Sequence, residues 1–205
     1  MRRVVLILAA LVVLGTVALA LFVTFRPEPV DKFAECRSSK IAGGGVTIGG
    51  PFELTNQDGV RVTDKDVIDR PALVYFGYTF CPDVCPYDTF RNAEATKILA
   101  ERGFDVKPVM FTIDPARDTP ETMKAFVGYL SDKMVGLTGT QEEITKAEKA
   151  YRVYAAKQGD GEDYLMDHST STYLMAPGYG FLEFFPRTME EEEMADKVQC
   201  FVEKL

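Results

Sequence analysis

Residues 73–90 read LVYFGYTFCPDVCPYDTF, and the fold turns on how they are divided. Leu73-Val74-Tyr75-Phe76 is a near-continuous β-prone run with no polar break, the mark of a central strand covered on both faces. Cys81 and Cys85 follow, with three residues between them and each trailed by a proline. From Tyr87 to Arg102 the apolar positions Phe90, Ala93, Ala95, Ile98 and Leu99 recur at helical spacing, and Gly103 supplies a C-terminal stop. The stretch is therefore strand, loop, helix, with both thiols in the loop.

Working outward, Lys107 to Ile113 reads as the next strand. Asp118-Thr119-Pro120-Glu121 has the form of a helix start, with a capping side chain, proline at the first helical position and an acid in the first turn. Gln141 to Lys157 is expected as a further helix. Tyr173–Ala176 and Phe181–Phe185 form a hairpin around Pro177-Gly178-Tyr179-Gly180, and Thr188 with Glu191 is expected to open a last helix through a capping box. Upstream, Phe52–Thr55 and Val60–Val62 flank Asn56-Gln57-Asp58-Gly59, a hairpin signal. Helical crossovers make the first two central strands parallel, whereas a four-residue turn joins antiparallel ones, so the sheet is mixed. This is the order of an α/β, thioredoxin-like fold with an N-terminal β-hairpin and an inserted helix.

The N-terminus differs from the rest. Met1-Arg2-Arg3 precedes an uncharged apolar stretch from Val4 to Phe25, followed by Arg26-Pro27. It has the ~20 residues needed to cross a bilayer and outruns the ~7 to 15 of a signal-peptide core, so it reads as an uncleaved transmembrane anchor. The flanking arginines put the N-terminus in the cytoplasm and the remainder across the membrane. No Arg-rich, Ser-rich transit segment precedes the anchor, which argues for a bacterial inner membrane and a periplasmic domain. The expected organisation is an anchor over 1–26, a linker over 27–48 containing Pro27, Pro29 and Gly43-Gly44-Gly45, and a single domain over 49–205. Setting aside Arg2, Arg3 and Arg26 leaves 20 basic residues against 31 acidic, a formal charge of −11. Such a surface argues against nucleic acid as a partner.

Two cysteines at i and i+4 entering a helix meet on one face, near enough for a disulfide and also for one metal ion. A helix N-terminus favours the thiolate in either case. The usual dithiol redox motif has two intervening residues, and three give a wider bite. His168, the single histidine, lies just before the C-terminal hairpin, in a loop that a thioredoxin-like fold turns towards the cysteines. Two thiolates and an imidazole form a soft donor set suited to copper or zinc, and the compartment points to copper. A structural disulfide between Cys81 and Cys85 is the competing reading.

The run Tyr75-Phe76-Gly77-Tyr78-Thr79-Phe80-Cys81-Pro82-Asp83-Val84-Cys85-Pro86, with Asp114-Pro115-Ala116-Arg117-Asp118-Thr119-Pro120, Leu137-Thr138-Gly139-Thr140 and Asp167-His168-Ser169, resembles the Sco/SenC family over essentially all of residues 49–205. The resemblance implies a membrane-tethered copper protein that helps assemble the dinuclear copper centre of cytochrome c oxidase subunit II, an assembly factor rather than a catalyst. It would take one copper ion per chain, as Cu(I) or Cu(II), from a periplasmic donor. It also implies Cys81, Cys85 and His168 as copper ligands. The alternative function is a thiol-disulfide oxidoreductase, with Cys81 and Cys85 catalytic, that keeps the subunit II cysteines reduced; in either case the pair needs a periplasmic thiol reductant.

Cys36 and Cys200 remain. In an oxidising compartment, two leftover cysteines near the ends of a domain suggest a disulfide joining them. Met166 reads as a core side chain rather than a further ligand. Asp114 and Arg117 read as a local ion pair at a helix entry. The acidic run Asp160-Gly161-Glu162-Asp163 is either solvated charge or a surface for a basic partner.

Overall fold

A computed structural model describes residues 2–25, 31–38 and 47–205. Arg26, Pro27, Pro29 and Gly43-Gly44-Gly45, expected at the anchor's edge and in the linker, lie outside the described residues. The chain divides into two compact units, Met1–Lys32 and Phe33–Leu205. The first is α1 (Arg2–Thr24), one helix with no buried residue and long and apolar enough to cross a membrane.

The second unit runs β1 (Glu53–Asn56), β2 (Arg61–Thr63), α2 (Asp64–Val67), β3 (Ala72–Gly77), α3 (Val84–Glu101), β4 (Lys107–Thr112), α4 (Pro120–Leu130), β5 (Val135–Thr138), α5 (Gln141–Tyr151), β6 (Ala155–Gln158), β7 (Leu165–His168), β8 (Thr172–Ala176), β9 (Gly180–Phe185) and α6 (Glu191–Val202). Seven strands form one sheet in the order β2-β1-β5-β4-β3-β8-β9, while β6 and β7 pair only with each other. Every residue of β3 is buried, and it runs parallel to β4 and antiparallel to β8, so the sheet is mixed and the cysteine loop leaves its centre.

Strand β3 contributes to two core clusters. Val74 and Phe76 join Phe52, Phe111, Tyr151 and Tyr173, with Phe76 and Phe111 stacked at 4.7 Å. Leu73 joins Leu99, Leu174, Phe185, Val198 and Phe201 beneath α3 and α6. Phe33 and Cys36 belong to that second cluster, so the globular unit begins inside the stretch expected as linker.

Four local expectations change. The helix expected to reach Lys157 stops at Tyr151, because Arg152 adopts a left-handed conformation (φ 57°) and the N–H of Val153 closes on the Glu148 carbonyl at 2.9 Å. Ala155 to Gln158, good helix formers, are then taken into the β6–β7 ribbon, where pairing outweighs propensity. The expected Thr188 capping box does not form. A turn closed by Met189 N–H on the Pro186 carbonyl carries the chain past Thr188, and α6 starts after Glu190 with three glutamates in its first turn. Helix α3 begins at Val84, three residues early, which puts Cys85 inside its first turn. Strand β5 has no counterpart in the sequence reading: it is four residues long, and Gly136 at its centre breaks the β-prone pattern. A Cβ there would stand 3.1 Å from both Met123 Cε and Val127 Cγ1, so glycine lets α4 lie close on the strand.

Candidate metal centre

The site forms where β3 ends and α3 begins. Cys81 is 7% exposed and Cys85 fully buried, and both are free thiols. They are unequal. The Cys85 thiol donating to Cys81 is the largest cause of a Cys81 pKa lowered to about 5. Burial opposes the shift, and N–H groups of Asp83, Cys85 and Val84 at the helix start add to it. The Cys85 N–H to Cys81 Sγ distance is 3.4 Å. The same interaction with Cys81, and then burial, push the Cys85 thiol up. The contact thus favours the thiolate at Cys81 and the thiol at Cys85.

The structure brings His168 to this pair. It is the last residue of β7 rather than a loop residue, and its Nε2 lies 3.3 Å from Cys85 Sγ. The Nδ1 atom lies 2.9 Å from the Ser169 carbonyl, an acceptor only, so Nδ1 is the donor there and Nε2 is the ring nitrogen that faces the sulfur. Tyr75 and Tyr78 stand edge-on to the imidazole, with centroids at 6.1 and 6.0 Å. Two donors on one ion, each ~2.0 to 2.3 Å from it, stand ~3.3 to 3.8 Å apart, so Cys85 and His168 already have ligand spacing. Among the described residues no three His, Cys, Asp or Glu side chains converge at metal-ligand distance. The three candidates meet in pairs: Cys81 with Cys85, and Cys85 with His168.

Beneath the pair lies a buried polar layer that the sequence reading did not single out. Tyr75 donates to Asp88 Oδ2 at 3.1 Å, and Arg91 Nη1 stands 3.5 Å from Asp88 Oδ1. Burial raises the Asp88 pKa and lowers that of Arg91, with each charge opposing the other's shift. Arg91 also donates to the Arg187 carbonyl at 2.6 Å and to Thr172 Oγ1 at 3.1 Å, tying α3 to the start of β8 and to the segment after β9. An aspartate and an arginine three apart on a helix look like a solvated pair, and nothing local in the sequence says otherwise.

The loop ahead of Cys81 is held by Asp118, which is fully buried. Its carboxylate accepts from the Thr79 N–H at 3.1 Å and from the Thr79 and Thr112 hydroxyls at 2.5 Å each. Burial raises its pKa, and those hydrogen bonds oppose the rise. Thr119, not Asp118, caps α4. Asp114 accepts from Arg117 Nε and from the Tyr164 hydroxyl, both at 2.5 Å, so the expected local ion pair is there but has a third member. Met166 is half-buried against the main core cluster. Away from the site, Cys36 and Cys200 are joined in a disulfide with Cα atoms 5.7 Å apart.

Comparison with known proteins agrees with this architecture. A profile described as SCO1/SenC matches residues 42–203. The chain is 49% identical to Protein SenC of Rhodobacter capsulatus over 198 residues, 96% of this chain and 89% of that protein. Its fold superposes on a crystal structure of Arabidopsis thaliana ScoI with copper bound, with TM-score 0.72 and 40% identity, covering 77% of this chain and 97% of that one. It also superposes on BsSco, described in work on a disulfide switch as a member of the Sco family of cytochrome c oxidase assembly proteins. There the TM-score is 0.62 and the identity 28%, over 76% of this chain and 94% of that one. A thioredoxin-like fold, a cysteine pair at a strand-to-helix turn, an Asp-His opposite it and a match across the whole globular unit identify the chain as a member of the SCO1/SenC family.

Proposed function

We propose that this chain is a membrane-anchored copper-binding assembly factor that delivers copper to the dinuclear centre of cytochrome c oxidase subunit II. Cys81, Cys85 and His168 are its ligands, and the copper is cargo. The observation that carries the reading is the imidazole: its Nδ1 is tied to a carbonyl and its Nε2 faces a buried sulfur 3.3 Å away. Orienting one ring nitrogen by hydrogen-bonding the other is how metal-bound histidines are set. Copper entry displaces the Cys85 proton, and rotation of Cys81 towards the Cys85–His168 pair completes the set. Two thiolates retain Cu(I), and the imidazole extends the site to Cu(II). Helix α1 is the anchor, with its N-terminus in the cytoplasm of a bacterial inner membrane. Residues 49–205, with Phe33 and Cys36 added, form the periplasmic domain.

The test is His168→Ala in the full chain. Cu(II) affinity falls by at least about tenfold while Cu(I) affinity changes far less, as expected when one soft-site ligand of three is lost. Equal loss of both would sink the assignment. A second reading has its own support in the unequal thiols, with Cys81 lowered to about 5 and Cys85 raised. A low-pKa thiolate beside a protonated partner is the starting state of thiol-disulfide exchange, so the pair could instead reduce the subunit II cysteines. That activity tolerates His168→Ala, and the same variant separates the two readings.

A further inference from the structure

The arm that carries His168 is only partly packed, with Val153, Ala155 and Met166 resting half-buried on the main core cluster. From Arg152 to Ser171 no side chain is buried, and β6 and β7 lie outside the main sheet. Segments poor in buried contacts open at low free energy. Yet the imidazole stands within hydrogen-bond reach of Cys85, so the arm must be seated by contacts elsewhere.

At its root the arm is closed by Tyr154 and Ser169, which exchange two hydrogen bonds at 3.0 and 3.1 Å. Nearer its tip the contacts gather on Arg117. The guanidinium lies 3.6 Å from the centroid of Tyr164, four residues before His168, and 4.8 Å from that of Phe80, the residue before Cys81. Both are within cation–π range, and the guanidinium therefore touches the arm and the cysteine loop at once. Arg117 Nη1 also donates to the Glu162 carbonyl at 3.2 Å. Asp114 completes the arrangement, accepting from Arg117 with one carboxylate oxygen and from the Tyr164 hydroxyl with the other. A further tie is the Met166 N–H donating to the Tyr78 hydroxyl at 3.2 Å. A flat, permanently charged guanidinium suits this position, since it can lie face-on to a ring while its edge N–H groups bond a carboxylate and a carbonyl.

We propose that Arg117, with Asp114 and Tyr164, is a latch that seats the arm against the cysteine loop and so fixes His168 over Cys85. Arg117 is a positioning residue, acting on the site through the arm. What the seated imidazole does there rests on the copper reading. With the latch closed, the imidazole stands beside Cys85, and a rotation of Cys81 is all that a three-donor set then needs. With it open, the imidazole leaves with the arm and the two thiols stay, a donor set that holds Cu(I) better than Cu(II). The latch thus sets which oxidation state the site retains.

The experiment uses the full chain in detergent, with Arg117→Gln, Arg117→Lys, Tyr164→Ala and Tyr164→Phe. In the metal-free protein, backbone hydrogen exchange across 155–168 is compared with that of β3 and β4. Arg117→Gln and Tyr164→Ala speed exchange in the arm by roughly tenfold or more and leave the strands unchanged, while Tyr164→Phe, which keeps the ring, has a smaller effect. Arg117→Lys falls between wild type and Arg117→Gln. Cu(II) affinity drops by about tenfold in step with arm exchange, and Cu(I) affinity by less than about threefold. Arm exchange at the wild-type rate in Arg117→Gln and Tyr164→Ala overturns the latch, as does an equal rise in β3 and β4. A wild-type chain that binds no copper, with variants that still free the arm, leaves the latch standing and sinks the copper reading. If Arg117→Gln does not fold, Arg117→Lys and Tyr164→Phe decide by the same contrast of arm and strand.

Discussion

At the scale of single residues, the site depends on an absence of bulk. Gly77 closes β3, and a Cβ there would stand 2.7 Å from the Tyr75 ring and 3.1 Å from Cys85 Sγ. Neither neighbour has room to retreat, both being buried. Gly77→Ala is therefore expected to displace the sulfur and to cost about 1 to 3 kcal/mol of stability, the usual range for overpacking. Denaturant unfolding and copper titration check it together; a variant as stable as wild type with unchanged copper binding would show that the fit is loose. The sequence already marked Cys81, Cys85 and His168 by residue type. It could not show that the two thiols are driven in opposite directions, because that follows first from the contact between the two sulfurs and then from burial and the N–H groups of the α3 start.

At the scale of elements, helices and strands were legible where a local signal was strong. The Thr119-Pro120 entry of α4 and the Asp58-Gly59 turn between β1 and β2 are as expected, since caps and tight turns are set by a few adjacent residues. The end of α5 was not legible: nothing in Arg152 or Ala155 argues for a strand, and only the pairing of β6 with β7 does. Helix α5 also carries an uncompensated acid. Burial alone raises the Glu148 pKa from 4.5 to about 7. A raised carboxyl pKa means that the folded state favours the protonated form. The associated stability is complete below 4.5 and lost as pH rises through about 7. Glu148→Gln, neutral throughout, should match wild type in acid and exceed it increasingly across that window. Urea midpoints measured from about pH 4 to about pH 8 test this, and a difference that does not vary with pH would refute it.

At the scale of the whole molecule, the Cys36–Cys200 disulfide spans a sequence separation of 164 and ties the residues ahead of β1 to α6. It lies in the cluster of Phe33, Phe201 and Val198, whereas Cys81 and Cys85 belong to the other main cluster. Closing so long a loop restricts the unfolded chain by at most about 5 kcal/mol in the chain-entropy account. Replacing both cysteines by serine should lower unfolding stability by a few kcal/mol and leave copper affinity unchanged, as calorimetry and titration would show; a parallel loss of copper binding would contradict this separation. By itself the sequence determined what is encoded within a few residues: an apolar helix long enough for a bilayer, a buried strand, a cysteine pair entering a helix, and the caps and turns around them. Only the tertiary structure decided what meets across the chain. The 3.3 Å approach of His168 to Cys85 spans 83 residues, Asp118 reaches back to Thr79, and Arg117 stacks on Tyr164. Such contacts are set by strand order and by the path of the β6–β7 arm, and no local backbone preference records them.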